Sequence, residues 1–569
     1  MSQKQLFAAE VNQIQKTLFA ADLQRQVVGG SRMLDLFTEQ GAAKATTDYA
    51  ATDIIVKAGG TFRIEFENAD EAVAFGRQLA DTYQLLLNGV MTVAPPEPFD
   101  DEKPKCKLDD ERCRLDDDGK CYRCAEKELG RKLNRLKEGG RLPLSLPHSP
   151  TIALCESSGA GLAFDHVQPD PNEPAQYMSK PAHLMKEVGH REKPGSPRRQ
   201  DDENKYLEAV RGEITNSTYR SLGWADKPED MAYWDRSRSN VAYMVADGNN
   251  MGIFFSRCTA PEQRKQLSKL LEDAIAKAIA APVATLIDRL WDSSRAGKRP
   301  LEIPMLPLIR AGDDIFVLLP APYALDYARH FCQEFETLIN NHEVIKEMRQ
   351  DETERVTMSA AIVYCKQSYP YHLVHEYGEE LLAQAKRVTK RVGRLKTGQQ
   401  WLSSVSFGMI IGSESTNRPS YAGSYYPTLT TYWVGEPTVP AAKASAVELA
   451  VLFSQRLELR KVPAKRRAEV RNLFDDPPEE TAQLDRWNGR LQKLFRRMQA
   501  TNPDTLKRTQ KALTDLGDAA AITKTNPACW RFHADESKHF HGLPDLFAIW
   551  PYAQTFAEAL DLYDEEEHA

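Results

Sequence analysis

The stretch LIRAGDDIF, from Leu308 to Phe316, sets two adjacent carboxylates between two apolar runs. The apolar flanks predict two strands, and the short sequence Ala-Gly-Asp-Asp predicts the tight turn that joins them. Gly312 can adopt backbone conformations that are closed to most residues, which suits such a turn. We therefore expect a hairpin that presents Asp313 and Asp314 together at or beside its tip.

A third carboxylate, Asp247, follows the buried strand SNVAYMVA and precedes a glycine and two asparagines. If this strand lies beside the hairpin in one sheet, Asp247 converges with Asp313 and Asp314 at one edge. Carboxylates that crowd together away from water need a compensating cation. Mg²⁺ (or Mn²⁺) fits, because it takes oxygen ligands and shares its shell with substrate phosphates, and two such ions can support phosphoryl transfer. The alternative is an exposed Asp-Asp turn and an unrelated loop after the strand.

The surroundings of these carboxylates predict an α/β unit over residues 239–412. Helical spacing follows Asp247, the hairpin comes next, and a helix, the strand VTMSAAIVYC and a helix ending in AKRVTKR complete the unit. The first 95 residues contain a coarse echo, because AGGTFRIEF matches AGDDIFVLL without the acidic pair. Two related units are therefore predicted, one with carboxylates and one without.

The order strand–DGNNMG, helices, hairpin–GDD, helix, strand and helix–AKR resembles the palm domain of GGDEF nucleotide cyclases and related polymerases. It resembles in particular the large palm subunit of type III CRISPR effector complexes, a family that makes cyclic oligoadenylate. The segments around GGSRMLDLF and AGGTFRIEF are similar to that family's first palm, and GLPDLFAIWPYAQ is similar more loosely.

The resemblance implies an α+β fold with two ferredoxin-like palm domains, the first degenerate and the second with an acidic metal site. Independently of the resemblance, a cluster of cysteines predicts a zinc-binding module between the palms, and the helical apolar spacing from about residue 440 predicts an all-α C-terminal domain. The predicted boundaries are 1–95 for the degenerate palm, 96–165 for the zinc-binding module, 166–238 for a linker and helical connection, 239–412 for the catalytic palm and 413–569 for the helical domain.

Carried over position by position, the resemblance implies that Asp247, Asp313 and Asp314 are catalytic and bind the metal ions. It implies nucleotide contacts by four further residues, namely Gly248, Asn249, Ser359 and Lys386. The family's usual Gly-Gly-Asp-Asp begins with Ala311 in this sequence, and alanine tolerates a positive φ angle poorly. The family's HD nuclease domain is expected to be missing, because none of the twelve histidines is followed by aspartate.

A cysteine cluster precedes the second unit, with four thiols at Cys106, Cys113, Cys121 and Cys124. The cluster ends in Cys-x-x-Cys and suits a structural Zn²⁺ held by four thiolates. Cys155 could replace one ligand, and disulfides or free thiols are the alternative. The histidines of FHADESKHFHG predict a solvated loop in preference to a metal site.

The composition places few limits on function. Nine cysteines, an odd number, indicate reduced thiols and a cytoplasmic protein. No apolar run reaches the roughly 20 residues of a membrane span, and the N-terminus lacks the apolar core of a signal peptide. A net charge of −7 argues weakly against nonspecific coating of nucleic acid.

The predicted function is that of a palm-type nucleotidyltransferase or cyclase. It would join nucleoside triphosphate, with ATP as the expected substrate, into linear or cyclic oligonucleotides for antiviral defence signalling. Its partners would be RNA-bearing subunits of an effector complex. Three alternatives stay open: a noncatalytic palm scaffold that binds nucleotide or RNA, a self-standing cyclase in a defence system without CRISPR RNA, and a GGDEF-like diguanylate cyclase.

Overall fold

The computed structural model describes most of the 569 residues. The described residues, to which all structural statements below refer, are 4–19, 24–100, 120–138, 153–159, 161–168, 175–189, 205–215, 222–225, 227–235, 237, 239–291, 302–311, 314–394, 400–410, 425–426, 428–429, 431–518, 527–533 and 538–559.

The N-terminal unit is built on a five-stranded sheet. Its strands are β1 (Lys4–Asn12), β2 (Ala51–Ala58), β3 (Thr61–Phe66), β4 (Val90–Asp100) and β5 (Lys120–Cys121). The strand order is β2-β3-β1-β4-β5, and the first four strands pair antiparallel with their neighbours. Alternate residues of β1 pack on opposite faces, so that Phe7 and Leu6 lie in different cores. Both faces of the sheet are therefore covered.

The second unit is built on a seven-stranded sheet. Its strands are β8 (Asn240–Asn249), β9 (Leu306–Ala311), β10 (Asp314–Pro320), β11 (Thr357–Lys366), β12 (Ser403–Met409), β14 (Thr431–Val434) and β15 (Val447–Glu448). The strand order is β15-β14-β12-β11-β8-β10-β9. Strand β8 is central and buried on both faces from Val241 to Ala246. Short strands make two further small sheets: β6 (Asp165–Val167), β7 (Gln176–Met178), β13 (Tyr425–Tyr426), β16 (Arg531–His533) and β17 (Lys538–Phe540).

Helices cover the sheets and form the C-terminal region. Those of the N-terminal unit and the connection are α1 (Ile14–Leu18), α2 (Gln24–Asp48), α3 (Ala69–Leu87), α4 (Tyr122–Glu138), α5 (Lys180–Gly189), α6 (Lys205–Glu213) and α7 (Pro228–Ala232). Those of the second unit are α8 (Met251–Arg257), α9 (Pro261–Trp291), α10 (Ala324–Asn340), α11 (Glu343–Met348) and α12 (Tyr371–Gly393). Those of the C-terminal region are α13 (Pro440–Ser445), α14 (Leu449–Arg460), α15 (Ala464–Phe474), α16 (Thr481–Thr501), α17 (Pro503–Leu516) and α18 (Leu543–Ala548), with 3₁₀ turns at Ala321–Tyr323 and Phe556–Ala559.

The two units share one topology. Both connect strand, helix, strand, strand, helix and strand, and their strands lie in the equivalent orders β4-β1-β3-β2 and β11-β8-β10-β9. This is the ferredoxin-like arrangement. Two residues separate β2 from β3, and two separate β9 from β10, so AGGT and AGDD occupy corresponding places. The predicted relation between the two units is confirmed at the level of topology.

Two details of the predicted organisation are wrong. The N-terminal unit was expected to end at position 95, but β4 continues to Asp100, with Pro95 and Pro96 at a register shift in its pairing with β1. Proline is tolerated there because a bulge does not need every ladder hydrogen bond. The region 413–569 was expected to be all-α. Strands β14 and β15 instead extend the sheet of the second unit, and β13, β16 and β17 form a sheet of their own.

None of the helices among the described residues combines the length and the apolarity that crossing a membrane requires.

Candidate active site

The candidate site lies where strand β8 ends. Asp247 is eighth of the ten residues of β8, and its side chain is 24% exposed. Ser359 of β11 lies directly opposite it on one side. On the other side the ladder between β8 and β10 reaches Ile315 opposite Ala246, and one further step in the same register sets Asp314 opposite Asp247.

This register brings two of the predicted carboxylates together. Residues directly opposite in an antiparallel pair point to the same face, with Cα atoms about 4.5–5.5 Å apart. Continued by one residue, this register sets Asp247 and Asp314 on the same face of neighbouring strands. Asp313 and Gly312 lie outside the described residues.

Lys386 of helix α12 reaches the same place. Its Nζ donates to Asp247 Oδ2 in an ion pair, with the lysine side chain 23% exposed. The structure thus brings Lys386 to the carboxylate edge where the sequence analysis expected it.

Glu379 is a site residue that the sequence analysis missed. Burial and the neighbouring Asp247 raise the pKa of Glu379, and this outweighs the lowering by Lys386. Glu379 and Lys386 lie seven positions apart on α12, which sets them on one helix face. That spacing was the available signal, but it could not be used without knowing which face of α12 meets β8.

Asn249 and Ser359 form a buried polar cluster beneath this edge. Asn249 Nδ2 donates to Ser359 Oγ at 2.9 Å and to Thr357 Oγ1 at 3.1 Å. Ser359 Oγ lies 3.2 Å from Ser404 Oγ, which in turn lies 2.9 Å from the hydroxyl of Thr389 on α12. All five side chains are buried. The cluster joins the end of β8 to the helix that carries Lys386, and the predicted nucleotide contacts of Asn249 and Ser359 stay predictions.

The turn after β8 explains the paired asparagines. Gly248 lies opposite Met358 in the ladder, and Asn250 has φ of 69° in the left-handed region before helix α8 begins. Asparagine tolerates this region better than most residues. Asn250 Nδ2 also donates to the carbonyl oxygen of Arg355 at 3.3 Å. The local sequence therefore fixes where β8 stops, and with it the position of Asp247.

The donor set at this edge fits a divalent cation that prefers oxygen. Asp247 and Asp314 offer carboxylate oxygens from neighbouring strands, and a second oxygen of Asp247 lies beside the one that Lys386 holds. Hard, charged oxygen ligands of this kind suit Mg²⁺ and Mn²⁺. Within the described residues no group of three or more His, Cys, Asp or Glu side chains could hold a metal ion; the third predicted carboxylate, Asp313, falls outside them.

The structure describes two of the four predicted zinc ligands. Cys121 is buried on β5 and Cys124 lies in the first turn of α4, whereas Cys106 and Cys113 lie outside the described residues. Cys155 packs in a separate small cluster with Met178. The zinc site stays a prediction. The expected histidine loop is wrong for His541, which is fully buried and bonds three backbone groups.

Comparison with known proteins identifies the second unit. Residues 240–393 match the family model described as Cas10/Cmr2, second palm domain. This match confirms the resemblance to the palm subunits of type III CRISPR complexes for the unit that carries Asp247, Asp314 and Lys386. No curated protein matches the chain.

Solved structures support the same fold over a longer stretch. Csm1 from T. onnurineus has a TM-score of 0.51 at 13% identity, over 97% of this chain and 70% of that chain. Csm1–Csm4 cassettes in complex with cA3 and with pppApA have TM-scores of 0.49 and 0.39 at 12% and 15% identity, over 98% and 68% of this chain and 70% and 53% of those chains. The fold comparison rests on the first of these, since the other scores fall below 0.5.

Proposed function

We propose that this chain is a palm-type nucleotidyltransferase that joins nucleoside triphosphates into linear or cyclic oligonucleotides. Oligoadenylate made from ATP is the product we expect, for signalling in antiviral defence in the cytoplasm. The single observation that carries the proposal is the register at the end of β8, which aligns Asp247 with Asp314 within reach of Lys386. The family match of this unit supports the reaction class.

The acidic and basic residues at the end of β8 would have different roles in the reaction. Asp247, Asp313 and Asp314 would hold Mg²⁺ or Mn²⁺, which supplies charge neutralisation for the attacking hydroxyl and the leaving pyrophosphate. Lys386 would exchange Asp247 for the triphosphate, since the cation then takes over the neutralisation of the carboxylate. Gly248 would lie beside the phosphates, and the hydrogen bond between Asn249 and Ser359 joins the end of β8 to β11. A structural Zn²⁺ on Cys106, Cys113, Cys121 and Cys124 would brace the first unit.

Product formation tests this proposal. The full chain is incubated with each labelled nucleoside triphosphate and Mg²⁺ or Mn²⁺, and products are resolved by mass spectrometry. We expect an oligonucleotide product that disappears in Asp247→Asn and persists in Asp273→Asn, an exposed aspartate on α9. Equal product from both variants would contradict the assignment of the site. If no product forms, nucleotide binding is titrated instead. A protein without affinity for any nucleoside triphosphate would not be a nucleotidyltransferase.

A second candidate is a noncatalytic palm scaffold that binds RNA in an effector complex. A charge asymmetry favours it: positions 456–511 carry fifteen Lys and Arg against eight Asp and Glu, in a chain of net charge −7. Four exposed basic residues follow one face of α16, namely Arg486, Arg490, Lys493 and Arg497. Such a stripe suits a phosphate backbone.

RNA binding as a function of salt separates the two candidates. A scaffold would bind single-stranded RNA with an affinity that falls steeply with salt, and changing the four basic residues of the stripe to glutamine would flatten this dependence. It would form no product with any nucleotide. Nucleotide-dependent product in the absence of RNA would favour the enzyme.

A further inference from the structure

The N-terminal unit has its own carboxylate at the place of Asp247. Glu10 of β1 lies opposite Thr61, the first residue of β3, in the ladder. Asp247 of β8 stands in the same relation to Asp314, the first residue of β10, one step beyond the last pair of the ladder between these strands. The prediction that the first unit lacks a carboxylate is therefore wrong. The acidic residue is carried by the central strand, far from the hairpin in sequence.

The polar partners of this carboxylate are repeated as well. On its other side Glu10 faces Thr92, as Asp247 faces Ser359. Two residues further on, Asn12 Nδ2 donates to Thr92 Oγ1 at 2.8 Å, as Asn249 donates to Ser359 Oγ. An asparagine therefore braces the hydroxyl residue opposite the carboxylate in both units.

A lysine on the helix above the sheet also pairs with the carboxylate in both units. Lys137 of α4 donates to Glu10 Oε2 at 2.6 Å, as Lys386 of α12 donates to Asp247. Each lysine is the sixteenth residue of its helix, and each helix begins with tyrosine. Helix α4 therefore occupies over the first sheet the position that α12 occupies over the second.

Two positions on the hairpin differ between the copies: Thr61 stands at the place of Asp314, and an arginine stands two residues further along β3. Arg63 stands on β3, third in the strand, where β10 has the buried Phe316. Its Nη2 lies 2.6 Å from Glu10 Oε1 and its Nε lies 3.1 Å from Glu126 Oε1, with the side chain only 5% exposed. Burial acts to lower the pKa of Arg63, but the two carboxylates overcome this and hold it above its ordinary value. A permanent positive charge is therefore built in between two carboxylates.

The ion pairs continue into the second unit. Glu126 Oε1 also lies 3.0 Å from Nη2 of Arg264, which stands in the first turn of α9. The next residue, Lys265, pairs with Asp53 of β2 at 2.7 Å. Charges of alternating sign thus run from Lys137 through Glu10, Arg63 and Glu126 to the start of α9, the second helix after the Asp247 turn.

We propose that the guanidinium of Arg63 supplies, in the first unit, the positive charge that a divalent cation supplies in the second. The site around Glu10 therefore needs no metal ion. Its ion pairs also connect it to the first turn of helix α9. Arg63 is a positioning residue, and the copy sets the position of the α9 start relative to the first sheet. The comparison with a metal ion rests on the proposed function, whereas the tie to α9 does not.

A titration with Mn²⁺ tests the exclusion of metal. The full chain carrying Asp247→Asn, Asp313→Asn and Asp314→Asn is titrated with Mn²⁺, and free ion is followed by electron paramagnetic resonance. Adding Glu10→Gln is expected to leave the titration unchanged. Mn²⁺ binding that Glu10→Gln abolishes would overturn the proposal. Because the second site is already removed, this outcome is independent of whether the proposed function holds.

Hydrogen exchange tests the tie to α9. In Arg63→Met we expect amides in the first turns of α9 to exchange roughly tenfold faster or more, because a buried charge chain is broken. Arg63→Lys keeps the charge and should restore part of the protection. Arg131→Met, at a half-exposed ion pair on α4, is the matched control and should leave α9 unchanged.

A double-mutant cycle distinguishes one chain of charges from separate pairs. If Arg63 and Arg264 act through Glu126, their methionine variants lower the urea midpoint of unfolding by less together than the sum of the single effects. If the two variants lower the urea midpoint additively and Arg63→Met leaves hydrogen exchange in α9 unchanged, then Arg63 does not hold α9 in place. Should Arg63→Met fail to fold, the same cycle is run with Arg63→Gln, which removes the charge but keeps a polar side chain.

Discussion

Lys386 and Asp247 form the ion pair at the centre of the candidate site. Both side chains are about a quarter exposed, so neither is locked by burial. If Lys386 meets the triphosphate, Lys386→Met lowers kcat/KM for nucleotide incorporation by roughly 100-fold, as loss of a charge-stabilising donor commonly does. Lys390→Met, four residues on and exposed, is the control. An equal loss in both variants would show that only the general charge of α12 matters.

His541 gives the fold a dependence on pH. It is fully buried, its Nε2 lies 3.0 and 3.2 Å from the carbonyl oxygens of Ala528 and Leu513, and its Nδ1 accepts from the N–H of Leu543. Burial lowers the pKa of His541 to about 3. The folded state therefore binds the proton more weakly than the unfolded state, and stability is present above pH 6.5 and is lost as the pH falls toward 3.

From pH 7.5 to 5.5 this histidine should remove about 1.4 kcal/mol from the free energy of unfolding. Urea unfolding of the wild type and of His541→Gln at both pH values measures it. The variant is less stable at pH 7.5 but loses less stability on acidification. His372→Gln, on an exposed face of α12, should keep the wild-type slope. Identical slopes in all three proteins would contradict the assignment.

The sequence marked Asp247, Asp314 and Lys386, which lie at one strand end in the structure, but it did not mark the residues around them; Asp313 stays a prediction. Asp313 and Asp314 are adjacent, and Asp247 and Lys386 lie in recognisable local patterns. Glu379 and Glu10 carry no such pattern, because they matter only through which strand and helix face each other. Contacts of this kind depend on register, which a single sequence does not specify.

At the scale of elements, one glycine fixes how closely α12 approaches the central strand. A Cβ on Gly378 would lie 2.6 Å from Val245 Cγ2 of β8, closer than real Cβ contacts. Gly378→Ala should therefore push α12 away from β8, lower the free energy of unfolding by about 1–3 kcal/mol and reduce product formation by moving Lys386 from Asp247.

Gly130 of α4 is the matched control. A Cβ there meets no atom within 4 Å. Gly130→Ala should raise the free energy of unfolding by about 0.5–1 kcal/mol, because alanine is the better helix former. Thermal and urea unfolding of the two variants measure the contrast. A stabilising Gly378→Ala would show that the helix and strand have room to spare.

Elements with strong local signals were predictable, and short or unusual ones were not. The hairpin AGGTFRIEF and the helix from Ala69 to Leu87 follow their apolar spacing and end on turn residues. The predicted boundary at position 95 divides β4, a strand with three prolines, two of which fall at the register shift. Strands β14 and β15, of four and two residues, are too short to show a period.

At the scale of the whole molecule, the C-terminal region closes back on the second unit. Strand β14 covers the edge of β12, and Ser406 Oγ lies 2.8 Å from Thr431 Oγ1. Further along, Tyr552 stacks on Tyr364 of β11. One apolar core runs from the first helices of the chain through the second unit to Phe556. The domain boundary predicted at position 412 did not anticipate these contacts between the second unit and the C-terminal region.

A chain that ends at 412 should therefore not fold, whereas one that ends at 559 should. Ending at 412 would uncover the β12 edge, and unpaired edges promote aggregation. It would also leave the buried Asp326 without the backbone N–H of Phe556, which donates to its Oδ2 at 2.8 Å. Near-ultraviolet circular dichroism, size-exclusion chromatography and urea unfolding compare the two proteins. A monomeric 1–412 with one cooperative transition would show that the second unit is independent, and would restore the domain boundary that the sequence suggested.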